Sequence, residues 1–203
     1  MGILNCTPDS FADGGRAYRF NDAVRHAQSL IDGGATIVDV GGESARPGGR
    51  PGDADEEMRR VVPVISEIRR RWPSVVLSVD TSKVEVAEEA LEAGADLVND
   101  VTAGAQAGML DLVAEQDAGI ILMHMRGEPR SMQADTTYTN VVAEVHEYLR
   151  RRAAAAVDAG ILPHRVWLDP GIGFGKDDDG NLALLAALPD LGVLNHPVVF
   201  GPS

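Results

Sequence analysis

The strongest constraint on this chain is a repeated unit: a short, unbroken apolar run, a polar residue at its end, a turn, and a segment with helical periodicity. Gly2-Ile3-Leu4 ends in Asn5, Ile37-Val38 leads into Asp39, and Val75 to Val79 ends in Asp80. Leu97-Val98 ends in Asn99-Asp100, Gly119 to Met123 in His124, and Val166-Trp167-Leu168 in Asp169, with Val198-Val199-Phe200 as a last run. The intervening segments read as helices. One opens at Asn21-Asp22 with Ala23, Val24, Ala27, Leu30 and Ile31 on one face. A second is capped by Asp53 or Asp55, carries Met58, Val61, Val62, Ile65 and Ile68, and should kink at Pro63. Others are expected from Thr81 or Ser82 to Leu91, about Gly108 to Glu115, about Tyr138 to Asp158, and roughly Asn181 to Leu188. The acidic run Asp177-Asp178-Asp179 reads as a solvated loop. Strands that are continuously apolar, follow helices and lack hairpin dipeptides belong to a parallel sheet covered on both faces. No composition shift marks a linker, so residues 1–203 are expected to form a single domain.

Composition narrows the function. Of the residues, 44% are apolar but only 4% aromatic, which gives a sizeable aliphatic core. With 18 basic and 31 acidic residues the net charge is -13, which argues against binding to nucleic acid. A small anionic substrate would need local cations or a metal. Cys6 is the only cysteine, so no internal disulfide forms and a reducing, cytoplasmic setting is expected. No apolar run approaches the ~20 residues of a membrane span, and no signal peptide is evident.

The polar strand ends carry the chemistry. Asn5, Asp39, Asp80, Asn99, His124 and Asp169 sit at or near the C-terminal ends of apolar strands, which converge on one mouth in a (β/α) barrel. A doubly wound sheet would also place loops there. A single such residue is most often a helix cap; six are harder to explain that way. Carboxylates and amides together suit a polar heterocycle rich in hydrogen-bond donors. The run Gly171-Ile172-Gly173-Phe174-Gly175-Lys176 fails the dinucleotide fingerprint, its third glycine coming one residue early. It also fails the P-loop pattern, because Asp177 follows the lysine. Gly41 to Gly48 is a loop with one cation, Arg46: either a surface loop or a lid that brings a charge to an anion. There is no HExxH and no cysteine pair, and Met123-His124-Met125 is better read as core than as a soft-metal site. Ser44 and Ser82 lack a nucleophile-elbow context, and Asp177 to Asn181 lacks EF-hand spacing.

Six segments, in order, resemble the dihydropteroate synthase family. They are Met1 to Gly15, Asp39 to Gly48, Ser78 to Thr81, Val98 to Val101, Leu122 to Met125, and Asp169 to Lys176. The resemblance implies a (β/α)8 TIM barrel, of which about seven strands are present. It implies an enzyme that joins 6-hydroxymethyl-7,8-dihydropterin pyrophosphate to p-aminobenzoate, releasing pyrophosphate in folate biosynthesis. The catalytic positions carried over are Asn5, Arg46 and Asp80. Asp80, Asn99 and Asp169 would hold the pterin, Asp169 accepting two hydrogen bonds from its amino-pyrimidine edge, and Met123 is also a substrate-binding position. Asn5 would meet a Mg²⁺ that neutralises the pyrophosphate, together with Arg46. The loops with Pro8, Asp9, Ser10, Phe11 and Asp13, and with Ala45, Arg46 and Pro47, would close over p-aminobenzoate beside Phe174.

Some positions depart from the family pattern. Cys6 stands where valine is common, Ala45 where threonine or serine is usual, and Gly180 where histidine is common. Barrels of this class take about 250 residues. The family's later lysine and arginine-histidine segments have no counterpart in these 203 residues, so weak or no synthase activity is expected of the chain as written. The alternatives are a non-catalytic pterin-binding homologue and a folate-dependent methyltransferase barrel. The family is usually dimeric, so a homodimer is a further expectation.

Overall fold

The computed structural model describes residues 1–6, 16–43, 53–127, 132 and 135–201. Six parallel strands alternate with helices along the described chain. The fold divides into two compact units, one built on Met1–Ser44 and Arg50–Asn99, the other chiefly on Asp100–Ser203.

In the first unit, β1 (Gly2–Asn5), β2 (Ile37–Gly41), β3 (Val76–Asp80) and β4 (Leu97–Asp100) lie side by side in chain order. Helices α1 (Arg16–Asp32), α2 (Ala54–Arg71) and α3 (Val84–Glu92) connect them. Leu4, Val38, Val40, Leu77, Val79 and Val98 are completely buried. These six lie on one face of the sheet, which is fully covered; on the other face Ile3 of β1 is 60% exposed, so the covering of both faces expected from the unbroken apolar runs does not reach this strand. Ala23 and Ala27 of α1, Val61, Ile65 and Ile68 of α2, and Val86, Ala87 and Ala90 of α3 are buried as well. Helix α2 is capped by Asp53, whose carboxylate accepts from the Asp55 amide at 3.3 Å. Asp55, Glu56 and Glu57 fill its first turn and Arg69, Arg70 and Arg71 its last, matching the helix dipole at both ends. Pro63 lies inside this helix and does not end it. The start expected for α3 is corrected: Lys83 is the cap residue and makes no side-chain capping bond. The Thr81 hydroxyl instead accepts from the Lys83 amide at 3.2 Å, closing the turn before the helix.

In the second unit, β5 (Gly119–Met123) pairs in parallel with β6 (Val166–Asp169), and α4 (Met109–Glu115), α5 (Val141–Asp158), α6 (Asp178–Ala186) and α7 (Leu188–Leu191) complete it. Asp100 is fully buried and turns the chain out of β4 by accepting from the amides of Thr102 (2.7 Å) and Gly104 (2.8 Å). Helix α5 starts at Val141, not at Tyr138 as expected. Asn140 caps the Ala143 amide at 3.1 Å, and Glu144 reaches back to the Asn140 amide at 3.0 Å, a reciprocal capping box. Helix α6 starts at Asp178 rather than Asn181. Asp177 caps it through the Gly180 amide at 2.8 Å, with Asp178 and Asp179 in the first turn, so the acidic run is a helix start and not a solvated loop. The seventh strand is reduced to a single parallel bridge, Leu168 to Val198, flanked by bonds from Leu168 N to Pro197 O and from Val199 N to Leu168 O, both 2.9 Å. Pro197 has no amide to donate, and Asn195 is in the left-handed region at φ 57°, so regular pairing does not extend N-terminally.

Candidate active site

In the first unit the strand register sets four positions in a row. Asn5 pairs with Gly41, Gly41 with Asp80, and Asp80 with Asn99, so β1 to β4 each contribute one residue at the same level. Gly41 is the gap between two polar neighbours. A Cβ there would lie 3.4 Å from Asp80 Oδ2 and 3.5 Å from Asn5 Oδ1. Two residues earlier on β2, and therefore on the same face, Asp39 is buried, and its Oδ2 accepts from Asn99 Nδ2 at 3.0 Å. That bond takes one of the amide's two N–H donors and fixes the orientation of the group, leaving its oxygen and the second N–H. Burial raises the Asp39 carboxyl above the usual carboxylate range, against the opposing effects of Ser78 and Asn99. Cys6, next to the row, has its thiol pushed up to about 12 by burial, against a smaller lowering by Arg60. It is a neutral core thiol, not a nucleophile.

Beneath Gly42 lies a partly buried ion cluster absent from the sequence expectations. The Lys83 ammonium bonds Glu57 Oε2 at 2.5 Å and also bonds Glu43. Glu57 is only 2% exposed. Burial works against the charged lysine, but its bonds to the two glutamates outweigh that and hold its pKa above the ordinary value. Arg60 adds a bond to the Gly42 carbonyl at 3.0 Å. Gly42 has no room for a side chain, since a Cβ would sit 2.8 Å from both Glu57 Cγ and Val61 Cγ1.

In the second unit Asp169 ends β6 in register with Met123, which is buried. Asp169 Oδ1 accepts from the Gly171 amide at 2.7 Å. Burial pushes its carboxyl up to about 6, while the Gly171 bond and the nearby Lys176 charge pull the other way. The glycine-rich run after it has a function the sequence reading did not find. Gly171, Gly173 and Gly175 all have positive φ, at 65°, 88° and 65°. Carbonyl oxygens are thereby turned toward Lys176, which is 3% exposed. Its ammonium donates to the carbonyls of Gly171 (2.8 Å), Phe174 (2.8 Å) and His124 (3.1 Å). Where a P-loop turns amides toward an anion, this run turns carbonyls toward a cation. The alternation of glycines ending in lysine was the available signal. Burial lowers the Lys176 pKa to about 7, and Asp169 opposes the fall.

His124 follows β5 and is buried, its ring edge-on to Tyr148 at 4.9 Å. Burial, with the Lys176 and Arg126 charges, pushes it down to about 3, so the imidazole stays neutral and serves as packing. Phe174 is half-buried in the glycine-rich loop. Pro8, Asp9, Ser10, Phe11, Asp13, Ala45, Arg46 and Pro47 lie outside the described residues. Among the described residues no three histidine, cysteine or acidic side chains converge as a metal cluster, and no helix is long and apolar enough to cross a membrane.

The chain matches the pterin binding enzyme family over residues 1–203. It is 46% identical to the dihydropteroate synthase of Escherichia coli K12 over 203 residues, all of this chain and 72% of that protein. The chain belongs to the dihydropteroate synthase family. Two solved structures extend the match. The Xanthomonas albilineans dihydropteroate synthase with 4-aminobenzoic acid is 47% identical, with a TM-score of 0.91 over 99% of this chain and 71% of that one. The same organism's enzyme in complex with 7,8-dihydropteroate is 44% identical, with a TM-score of 0.87 over the same shares. The fold is thus that of the family's TIM barrels, and the polar strand ends of this chain lie on that framework. The sequence resemblance had pointed to the same family and fold.

Proposed function

We propose that the chain binds 6-hydroxymethyl-7,8-dihydropterin pyrophosphate and p-aminobenzoate and joins them to dihydropteroate, with release of pyrophosphate. The observation that carries this reading is the set of polar strand ends, with Asn5, Asp80 and Asn99 at one level in the first unit and Asp169 in register with Met123 in the second, on a chain 44% identical to an enzyme solved with 7,8-dihydropteroate. Asp169 is the carboxylate suited to the amino-pyrimidine edge, where two donors lie side by side. Its second oxygen remains for the ring while the first is steadied by Gly171. Asp80 and Asn99 bond other ring nitrogens, and the Asp39 bond fixes the orientation in which the Asn99 amide is presented.

The reaction breaks the bond between the pterin's methylene carbon and the pyrophosphate oxygen and forms a bond from that carbon to the arylamine nitrogen, which loses a proton. An arylamine is already a nucleophile, so no strong base is required, consistent with the neutral His124 and Cys6. Positioning and stabilisation of the departing anion carry the catalysis. Mg²⁺ fits the donor set as a partner of the substrate. Asn5 offers one hard oxygen at the end of β1, Asp80 Oδ2 lies nearby across Gly41, and the phosphates would complete the shell. When bound, the ion neutralises charge on the leaving group. The second loop's Arg46 would add a cation to the same anion, and Phe11, Ala45, Phe174 and Met123 would bound the arylamine.

The deciding experiment incubates the protein with both substrates and Mg²⁺ and follows dihydropteroate by chromatography, alongside calorimetry with 6-hydroxymethylpterin. Pterin binding that falls in Asp80→Asn and Asp169→Asn, with at most slow product formation that depends on both substrates, is the expected result for these 203 residues. A folded protein that neither forms dihydropteroate nor binds the pterin overturns the reading.

A further inference from the structure

We propose that Lys176 is a positioning residue for both substrates, aligning the Asp169 carboxylate and the Phe174 ring through the backbone carbonyls that it gathers. This rests on the pterin and p-aminobenzoate roles given above.

The geometry is specific. An ammonium group has three donors, and here all three are taken by carbonyls, from Gly171, Phe174 and His124. Each carbonyl belongs to a segment that matters to the site. Gly171 donates from its nitrogen to Asp169 Oδ1 at 2.7 Å and accepts from Lys176 at its oxygen, so carboxylate and lysine hold the two successive peptide groups that flank one glycine Cα. The Phe174 carbonyl fixes the backbone that carries the aromatic ring. The His124 carbonyl ties this loop to the end of β5, next to Met123. His124 N in turn donates to Asp169 O at 2.9 Å, so the strand ends are joined both directly and through the lysine.

Gly171 shows how closely the parts approach. A Cβ there would collide with the His124 carbonyl oxygen, the same oxygen that Lys176 binds, and the positive φ of 65° disfavours any side chain as well. Gly175 is similarly confined, since a Cβ would lie 3.1 Å from both Cβ and O of Arg126. The loop is therefore wrapped around the ammonium at near-minimum separation. A buried lysine with no carboxylate in direct contact is costly. That cost is offset by the three carbonyls it satisfies, which an apolar side chain could not hold together, so the charge is placed where the carbonyl positions matter.

The test compares the protein with Lys176→Gln, which keeps two donors without the charge, and Lys176→Met, which keeps only the length. Calorimetry with 6-hydroxymethylpterin and steady-state kinetics with p-aminobenzoate are the readouts, beside thermal melts. The expected result is a weakening of pterin affinity of at least tenfold in the Met variant and less in the Gln variant. The KM for p-aminobenzoate should rise in the same order. Pterin affinity within twofold of the parent in a folded variant, whatever the change in melting temperature, overturns the proposal, since a purely structural lysine would move stability alone. If neither variant folds, the amide resonance of Gly171 in the unaltered protein decides. It should shift as Lys176 loses its proton around neutral pH, in a step separate from that of Asp169 and under the further influence of His124, Arg126, Tyr138 and Asp177. A Gly171 resonance that shows no such step across the neutral range overturns the proposal. Failure of the unaltered protein to bind the pterin is a different outcome, and sinks the functional reading on which this one rests.

Discussion

Asp169 is held in a state that costs the fold at neutral pH. Its pKa in the folded protein, about 6, is above the ordinary aspartate value, so the folded state binds this proton more tightly than the unfolded chain does. Its contribution to stability is therefore present below about pH 4 and is lost as the pH rises toward 6. Asp169→Asn should flatten the decline in stability across that window, measured as urea midpoints at successive pH values. The same variant should lose roughly 2 kcal/mol or more of pterin affinity, as a charge-assisted pair is removed. Asp39 acts one step further back. Asp39→Ala frees Asn99 Nδ2 and lets the amide flip, so pterin affinity should fall about tenfold, roughly 1.4 kcal/mol. An unchanged calorimetric titration would show that Asn99 is held by something else. Asp39, Asn99 and Asp169 were all legible as polar residues near strand ends. The bond between the first two was not, because it joins β2 to β4, and strand order cannot be read from the residues themselves.

At the scale of elements, strands were read more accurately than helix starts. An apolar run bounded by a polar residue has few alternative meanings, and β5 and β6 fall where their runs do. A helix start is chosen among several competent caps. Thr81, Ser82, Asp177 and Asn140 are all good capping types, and only the actual turn geometry selects between them. The Lys83 cluster was illegible for another reason: lysine, Glu43 and Glu57 are far apart in the chain and look like solvated charges. Their effect on α2 and α3 is testable. Lys83→Met would leave Glu57 buried without its cation, and should cost about 3–5 kcal/mol in a denaturant melt. Adding Glu57→Leu should recover much of the loss, since the penalty is the orphaned charge and not the missing pair. Non-recovery in the double variant would locate the cost in packing.

For the molecule as a whole, the acidic balance sets a condition on its substrate. A chain with a net charge of -13 has to take up a pyrophosphate ester. With no convergent acidic or histidine cluster among the described residues, Asn5 with Asp80 across Gly41 would hold Mg²⁺ only weakly without the phosphates. Binding of metal and anion should then be mutually dependent. Calorimetry should show pyrophosphate binding with Mg²⁺ and little without it, and Mg²⁺ alone should give almost no heat. Tight Mg²⁺ binding in the absence of phosphate would contradict this. The row formed by Asn5, Gly41, Asp80 and Asn99 has a consequence for folding as well. Its members come from four strands separated by helices, and no two of them are neighbours in sequence. Parallel pairing of this kind forms late, because long loops must close first. The row therefore exists only when four strands have met in register, since a slip of one residue turns a side chain to the opposite face. A pterin bound there draws its stabilisation from the global unfolding equilibrium. Amide exchange across β1 to β4 should accordingly slow together upon binding, and not strand by strand.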